Sequence, residues 1–190
     1  GFVLIMGLGR VLIFCVSQVW GPGIYKTGAN RRGPAKWPGP LLMVTQNVDD
    51  LHERAGSKKV LHMHGELLKV RCQKTSEVFD WTQDIENTTA CLGCARTECM
   101  RPNIVWFGEM VPLMGVAAEH ARRSDIFLVV GTSMVVYPAA GLIDYVPFES
   151  PKYVVDPNIP EISHIPYLFK IPEKASIGME KLKQELMQFT

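Results

Sequence analysis

Excess charge is what this sequence most lacks: 20 Lys and Arg stand against 19 Asp and Glu, leaving a formal +1 over 190 residues. Without a surplus of one sign, no long-range field gathers nucleic acid or an anionic membrane onto the chain, and neither is expected as a partner. Cysteine is also scarce, five in all at positions 15, 72, 91, 94 and 99. An odd count, with three crowded into CLGCARTEC, does not suit a closed disulfide framework. It points instead to a reducing compartment, the cytoplasm, and to a metal site. No basic stretch precedes the apolar opening GFVLIMGLGRVLIFCVSQVW, and Arg10 interrupts it. The opening therefore lacks both the n-region of a signal peptide and the unbroken run of about 20 residues that a spanning helix needs. Two buried strands, FVLIM and VLIFCV with GLG as the bend, are the expectation there.

What the sequence has is alternation. Residues 21–40 are rich in Gly, Pro and basic side chains without a period of 2 or 3.6, and read as loop. From Leu41 onward, the short apolar runs LLMV, KKVLHM, NIVWF, IFLVV and KYVV alternate with the helix-like segments GVAAEHARR, PAAGLIDYV and SIGMEKLKQELMQF. This order predicts an α/β fold, a Rossmann-like parallel sheet with helices on both faces. IFLVV has no polar alternation and suits a central strand buried on both sides. The runs lead into small or polar residues: Thr45-Gln46-Asn47, His64-Gly65, Gly108-Glu109, Gly131-Thr132-Ser133 and Asp156-Pro157-Asn158. Ligands of open α/β sheets bind outside the carboxyl ends of the strands, so these positions predict a nucleotide crevice.

Between the second and third runs lie Cys72, Cys91, Cys94 and Cys99, spaced C-x18-C-x2-C-x4-C. That is close to a zinc-ribbon pattern, and four thiolates so spaced can close a tetrahedral structural site. Thr75 stands where a C-x2-C pair would place a cysteine, so Cys99 or another group must supply the fourth ligand. Free buried cysteines in a loop-rich lobe are the alternative. The predicted organisation is an unmatched segment 1–40, a sheet domain of 41–70 plus 102–190, and a small inserted zinc-ribbon-like lobe at 71–101.

Four ordered motifs, TQNVDDLHERAG, HMHGEL, IVWFGEMVP and GTSMVVYPAAG, together resemble the sirtuin family of NAD-dependent protein deacylases, in particular its bacterial desuccinylase-like branch. The resemblance runs from about Leu41 to Thr190. It implies a Rossmann-like domain with a small zinc lobe, and NAD and an acyl-lysine protein or peptide meeting in the cleft between them. His64 matches the catalytic base, which takes a proton from a ribose hydroxyl once nicotinamide has left; an imidazole suits that task near neutral pH. Gly65 would remove bulk where substrate approaches. His62 matches no catalytic role. Gln46, Asn47, Val48 and Asp49 match the segment that holds the nicotinamide ribose and carboxamide; read by themselves, they also make a turn capped by Asn and Asp. Gly131, Thr132 and Ser133 match the adenosine side, and Asp156 or Asn158, with Ala175, the adenine ribose and ring. Val105, Trp106, Phe107 and Gly108 match the wall of the acyl-lysine tunnel, with a plain core strand as the other reading for half of them.

The sequence departs from the family at its start. Members open with a strand and a Gly-Ala-Gly-x-Ser loop that cradles the NAD phosphates, and residues 1–40 do not contain that motif. A truncated, rearranged or frame-shifted upstream region is the expectation. Two lost hydrogen bonds to a charged ligand, at roughly 1.5–3 kcal/mol each, would weaken NAD binding about a hundredfold or more. The Tyr and Arg with which desuccinylase-like members select an acidic acyl chain also fall in that region. Three functions are thus in view: a deacylase that consumes NAD, releasing nicotinamide and O-acyl-ADP-ribose; a silent zinc-bearing acyl-peptide-binding remnant; and a mono-ADP-ribosyltransferase.

Overall fold

The computed structural model describes residues 10–15, 40–131, 139–159, 161–162 and 164–187. Thr132 and Ser133, the FVLIM run and most of the 1–40 segment lie outside them. In chain order the elements are β1 (Val11–Cys15), β2 (Leu41–Thr45), α1 (Leu51–Arg54), β3 (Val60–His62), β4 (Gly65–Cys72), β5 (Val78–Asp80) and β6 (Met100–Ile104). They continue with α2 (Met114–Arg122), β7 (Ile126–Val130), a 3-10 helix (Ala139–Tyr145), β8 (Lys152–Val155), β9 (Leu168–Ile171) and α3 (Ala175–Met187).

Six strands form one sheet in the order β3-β2-β1-β7-β8-β9. Every pairing in it is parallel. β7 is buried at all five positions, as an unalternating IFLVV requires. Its side chains split between two cores by the two-residue period of a strand. Phe127 and Val129 join Leu12, Val44 and Leu142 with the small residues Ala117, Ala118 and Ala121 of α2. Ile126, Leu128 and Val130 join Met43, Tyr153 and Val155 with Ala175, Leu182 and Leu186 of α3. Each large apolar side chain so buried contributes about 1.5–3 kcal/mol, which is what fixes the helices on the two faces.

β1 lies between β2 and β7, with Val11 opposite both Leu41 and Ile126. The 1–40 segment set apart in the sequence therefore supplies a central strand of the sheet. β4, β5 and β6 form a second, three-stranded sheet in the order β5-β4-β6, antiparallel throughout. This corrects one expectation: NIVWF is not a strand of the parallel sheet. Its first two residues end β6, and Val105–Phe107 follow as loop. A short apolar run reads alike whether it is a core strand or a strand end, and periodicity cannot separate the two. The small sheet also reaches from Gly65 to Ile104, wider than 71–101. PAAGLIDYV, expected as an ordinary helix, folds in its described part as the 3-10 helix. Among the described residues no helix is long and apolar enough to cross a membrane.

Candidate functional site

Because the six strands of the large sheet are parallel, their carboxyl ends emerge along one rim. β2 delivers residues 46–49 there, β3 delivers His62 and His64, β7 delivers Gly131, and β8 delivers Asp156. The 46–49 segment is held almost rigidly. Thr45, Gln46, Asn47 and Val48 present four successive carbonyls, and each accepts from the 62–67 segment. Thr45 O accepts from Met63 N at 2.9 Å and Val48 O from Leu67 N at 2.7 Å. Gln46 O accepts from His64 Nδ1 at 3.2 Å, and Asn47 O from His62 Nδ1 at 3.0 Å. The amides are used as well: Asn47 N donates to Thr45 Oγ1 at 3.0 Å, and Leu51 N to Asp49 Oδ1 at 3.0 Å.

With the backbone so committed, the side chains stand out. Gln46 is 8% and Asn47 4% exposed, yet Gln46 Nε2 and both Asn47 Nδ2 and Oδ1 find no partner among the described residues. Leaving a buried polar group unpaired costs about 1–3 kcal/mol, so three such atoms on two successive residues at a strand end mark a candidate receptor for a ligand with its own donors and acceptor. An amide and a ribose hydroxyl have that chemistry.

The two histidines differ in what their second nitrogen meets. A carbonyl only accepts, so His64 Nδ1 carries the hydrogen in its bond to Gln46, and the lone pair of the neutral ring is left on Nε2. His64 is half-buried, and its own carbonyl accepts from Val105 N at 2.8 Å. His62 is buried, and its Nε2 lies 2.7 Å from Glu53 Oε1 on α1. Gly65 has φ +84°, and a Cβ there would stand 2.0 Å from Asn103 O. The space it frees is thus taken by the backbone of β6 and not by a substrate, which corrects the role read from the sequence.

Val105 is half-buried, while Trp106, Phe107 and Gly108 are exposed in the loop between β6 and α2. Arg101 closes that loop. Its guanidinium bonds Glu109 Oε2 at 3.0 Å and Ile104 O at 2.9 Å, and lies 3.8 Å from the Trp106 ring centroid. Glu109 also accepts from Trp106 N at 3.0 Å. The Arg101 hydrogen bond, with that backbone donor, holds the Glu109 carboxyl down to about 2. On the other side of the rim, Gly131 is buried with φ +65° and donates to Val155 O at 2.9 Å. Asp156 is buried and its Oδ1 accepts from Asn158 N at 2.7 Å, while the Asn158 side chain is exposed. Ala175 opens α3 inside the second core.

In the small sheet the Sγ atoms of Cys72, Cys91, Cys94 and Cys99 all lie within 4.8 Å of one another. Cys72 and Cys94 are 3.8 Å apart and Cys94 and Cys99 3.5 Å. A tetrahedral zinc with Zn–S near 2.3 Å needs sulfur–sulfur edges of about 3.8 Å, so the four thiols fit it. Cys99 closes the set, and Thr75 contributes otherwise. Hydrogen bonds from Thr75 lower the Cys72 thiol to about 6, whereas burial, then the neighbouring Cys94, pushes Cys99 up to about 12.

The family model described as Sir2 family matches residues 39–138. The chain belongs to the Sir2 family. It is 55% identical over 103 residues to an NAD-dependent protein deacylase of Pasteurella multocida, covering 54% of this chain and 44% of that one. It is 40% identical over 154 residues to one of Vibrio parahaemolyticus, covering 80% and 64%. The chain thus spans only part of these relatives' length. Among solved structures, a Sir2 homologue mutant in complex with ADP-ribose superposes with a TM-score of 0.75 at 26% identity, over 95% of this chain and 93% of that one. A Sir2 homologue–NAD complex gives 0.73 at 25%, over 96% and 91%. Sequence reasoning on this Sir2 chain missed the roles of His62, Glu53, Arg101 and Glu109. His62, Glu53 and Glu109 lie within HMHGEL, TQNVDDLHERAG and IVWFGEMVP, and only their partners reveal these roles.

Proposed function

We propose that the protein is an NAD-dependent protein lysine deacylase. The observation that carries this reading is the set of unpaired amide atoms of Gln46 and Asn47 beside His64, whose Nε2 has no hydrogen to donate in the neutral ring. In this reading Gln46, Asn47, Val48 and Asp49 hold the nicotinamide end of NAD; Gly131, Thr132, Ser133, Asp156, Asn158 and Ala175 line its adenosine end. Val105, Trp106, Phe107 and Gly108 receive the acyl-lysine. The acyl oxygen attacks the ribose carbon that bears nicotinamide, and nicotinamide departs. His64 Nε2 then takes the proton of a ribose hydroxyl, that oxygen bonds to the acyl carbon, the carbon–nitrogen bond to lysine breaks with the proton passing to the departing amine, and one water adds to give O-acyl-ADP-ribose. Acetylated and succinylated lysines are both proposed as substrates. Zinc on Cys72, Cys91, Cys94 and Cys99 supplies folding of the small sheet and takes no part in the chemistry. Four free thiols also suit a reducing compartment, and the cytoplasm is proposed as the location.

The test is calorimetric titration with NAD, followed by turnover of acetylated and succinylated peptides by the wild type and His64→Ala. NAD binding with turnover that falls at least a hundredfold in the variant supports the deacylase. The missing Gly-Ala-Gly-x-Ser motif favours a second reading, an acyl-peptide-binding remnant, whose signature is peptide binding without NAD binding.

A further inference from the structure

We propose that His62 is a positioning residue for the nicotinamide end of the site. It acts by locking the backbone of residues 46–49. The inference rests on the deacylase reading for its functional half and on geometry alone for its structural half.

His62 is 7% exposed and both its ring nitrogens are engaged: Nδ1 with Asn47 O at 3.0 Å, Nε2 with Glu53 Oε1 at 2.7 Å. Nδ1 faces a carbonyl, which only accepts, so it carries the hydrogen of that bond, and Nε2 closes the contact to the Glu53 carboxyl. The ring therefore bridges the loop after β2 to the short helix α1, across the end of β3. Two residues on, His64 makes the neighbouring bond to Gln46 O. Met63 and His64 form the turn that follows β3, and across it one imidazole reaches the carbonyl of Asn47 while the other reaches that of Gln46. The adjacent carbonyls, of Thr45 and Val48, are held by backbone donors alone.

The consequence concerns the unpaired amides. Asn47 can aim Nδ2 and Oδ1 at a ligand only if its own backbone does not rotate, and the His62 bond prevents that rotation. A shift of about 1 Å in a positioning group can cost on the order of a hundredfold in rate. Glu53, at 42% side-chain exposure, holds the ring from the far side.

Two measurements separate the halves. His62→Phe keeps the ring bulk and removes both bonds; Glu53→Gln keeps an acceptor oxygen for Nε2 and serves as the conservative variant. In the full chain, the side-chain amide resonances of Gln46 and Asn47 are expected to shift or broaden in His62→Phe and to stay near wild type in Glu53→Gln. Unmoved amide resonances in His62→Phe overturn the proposal, and this readout does not require turnover. Kinetically, His62→Phe should lose about ten- to a hundredfold in kcat/KM for NAD, with the KM for acyl-peptide unchanged. An equal loss in both substrates indicates general damage to the fold and overturns the positioning role. A wild type without NAD turnover, with amide resonances that do respond to His62→Phe, sinks the deacylase reading and leaves the locked loop standing.

Discussion

At single residues the structure turns on what each side chain leaves unpaired. His64 is half-buried and its ring bonds Gln46 O, so His64→Ala should fold normally and lose about 100- to 10,000-fold in turnover, the usual worth of a general base. Circular dichroism beside peptide deacylation checks both halves, and unchanged turnover would end the assignment. Gly65 is constrained by backbone. At φ +84°, with Asn103 O 2.0 Å from where a Cβ would sit, Gly65→Ala strains two strands at once. A loss of about 2–4 kcal/mol in denaturant unfolding is expected, from a disfavoured dihedral plus overpacking. His64 and Gln46-Asn47 were legible in the sequence because strand-end position and motif coincide there. The reason for Gly65 was not, since the atom it makes room for is 38 residues away in β6. His62 was illegible for the same reason: nothing in HMHG says that Glu53 and Asn47 O flank the first ring.

At the scale of elements, burial pattern was the reliable signal and strand partner was not. IFLVV as a doubly buried strand and SIGMEKLKQELMQF as a helix could be placed from pattern alone, because a sheet covered on both faces leaves its central strands no polar side. Which sheet Met100–Ile104 joins depends on β4, and local sequence does not encode it. Gly178 shows how contact overrides propensity. Within a helix a Gly→Ala change ordinarily gains up to about 1 kcal/mol, but at Gly178, in the first turn of α3, a Cβ would meet Val155 Cγ1 at 2.4 Å. Gly178→Ala should therefore destabilise, by about 1–3 kcal/mol, as the helix is pushed off β8; a raised melting temperature would refute it. The loop between β6 and α2 depends on the Arg101–Glu109 clamp. Glu109 lies at about 2 against an ordinary 4.5. Because its folded-state value is depressed, the clamp contributes fully above the ordinary carboxylate range and is lost as pH falls toward about 2. The Trp106 fluorescence, taken as the difference from Trp106→Phe, should hold to well below pH 4.5 and change between there and about 2. A transition centred on 4.5 would show that Arg101 does not hold the carboxylate.

At the scale of the whole molecule, the small sheet and the rim of the large one share a seam, and this makes the cysteine cluster matter beyond its own lobe. β4 begins one residue after His64, Leu67 N donates to Val48 O, and Val105 N donates to His64 O. Loosening β4 and β6 would release the two backbone bonds that frame the candidate base. The third core is small, built on Val70, Cys72, Cys91, Cys99 and Met100, and four of the side chains packed in or against it are the thiols themselves. So little apolar surface does not hold three strands unaided, and a structural metal is the usual remedy in a lobe of this size. One equivalent of zinc is therefore expected by elemental analysis, falling sharply in Cys99→Ser and unchanged in Thr75→Ala. Chelation should abolish deacylation while the six-stranded sheet keeps its secondary structure, because its two cores contain none of the four ligands. A closed zinc site takes all four cysteines as thiolates, so a returning metal displaces the protons that the free thiols hold. Rebinding should accordingly release protons and restore activity together. Full activity in a zinc-free chain would mean that the seam holds His64 without the lobe, and the cluster would then be four packed thiols and no more.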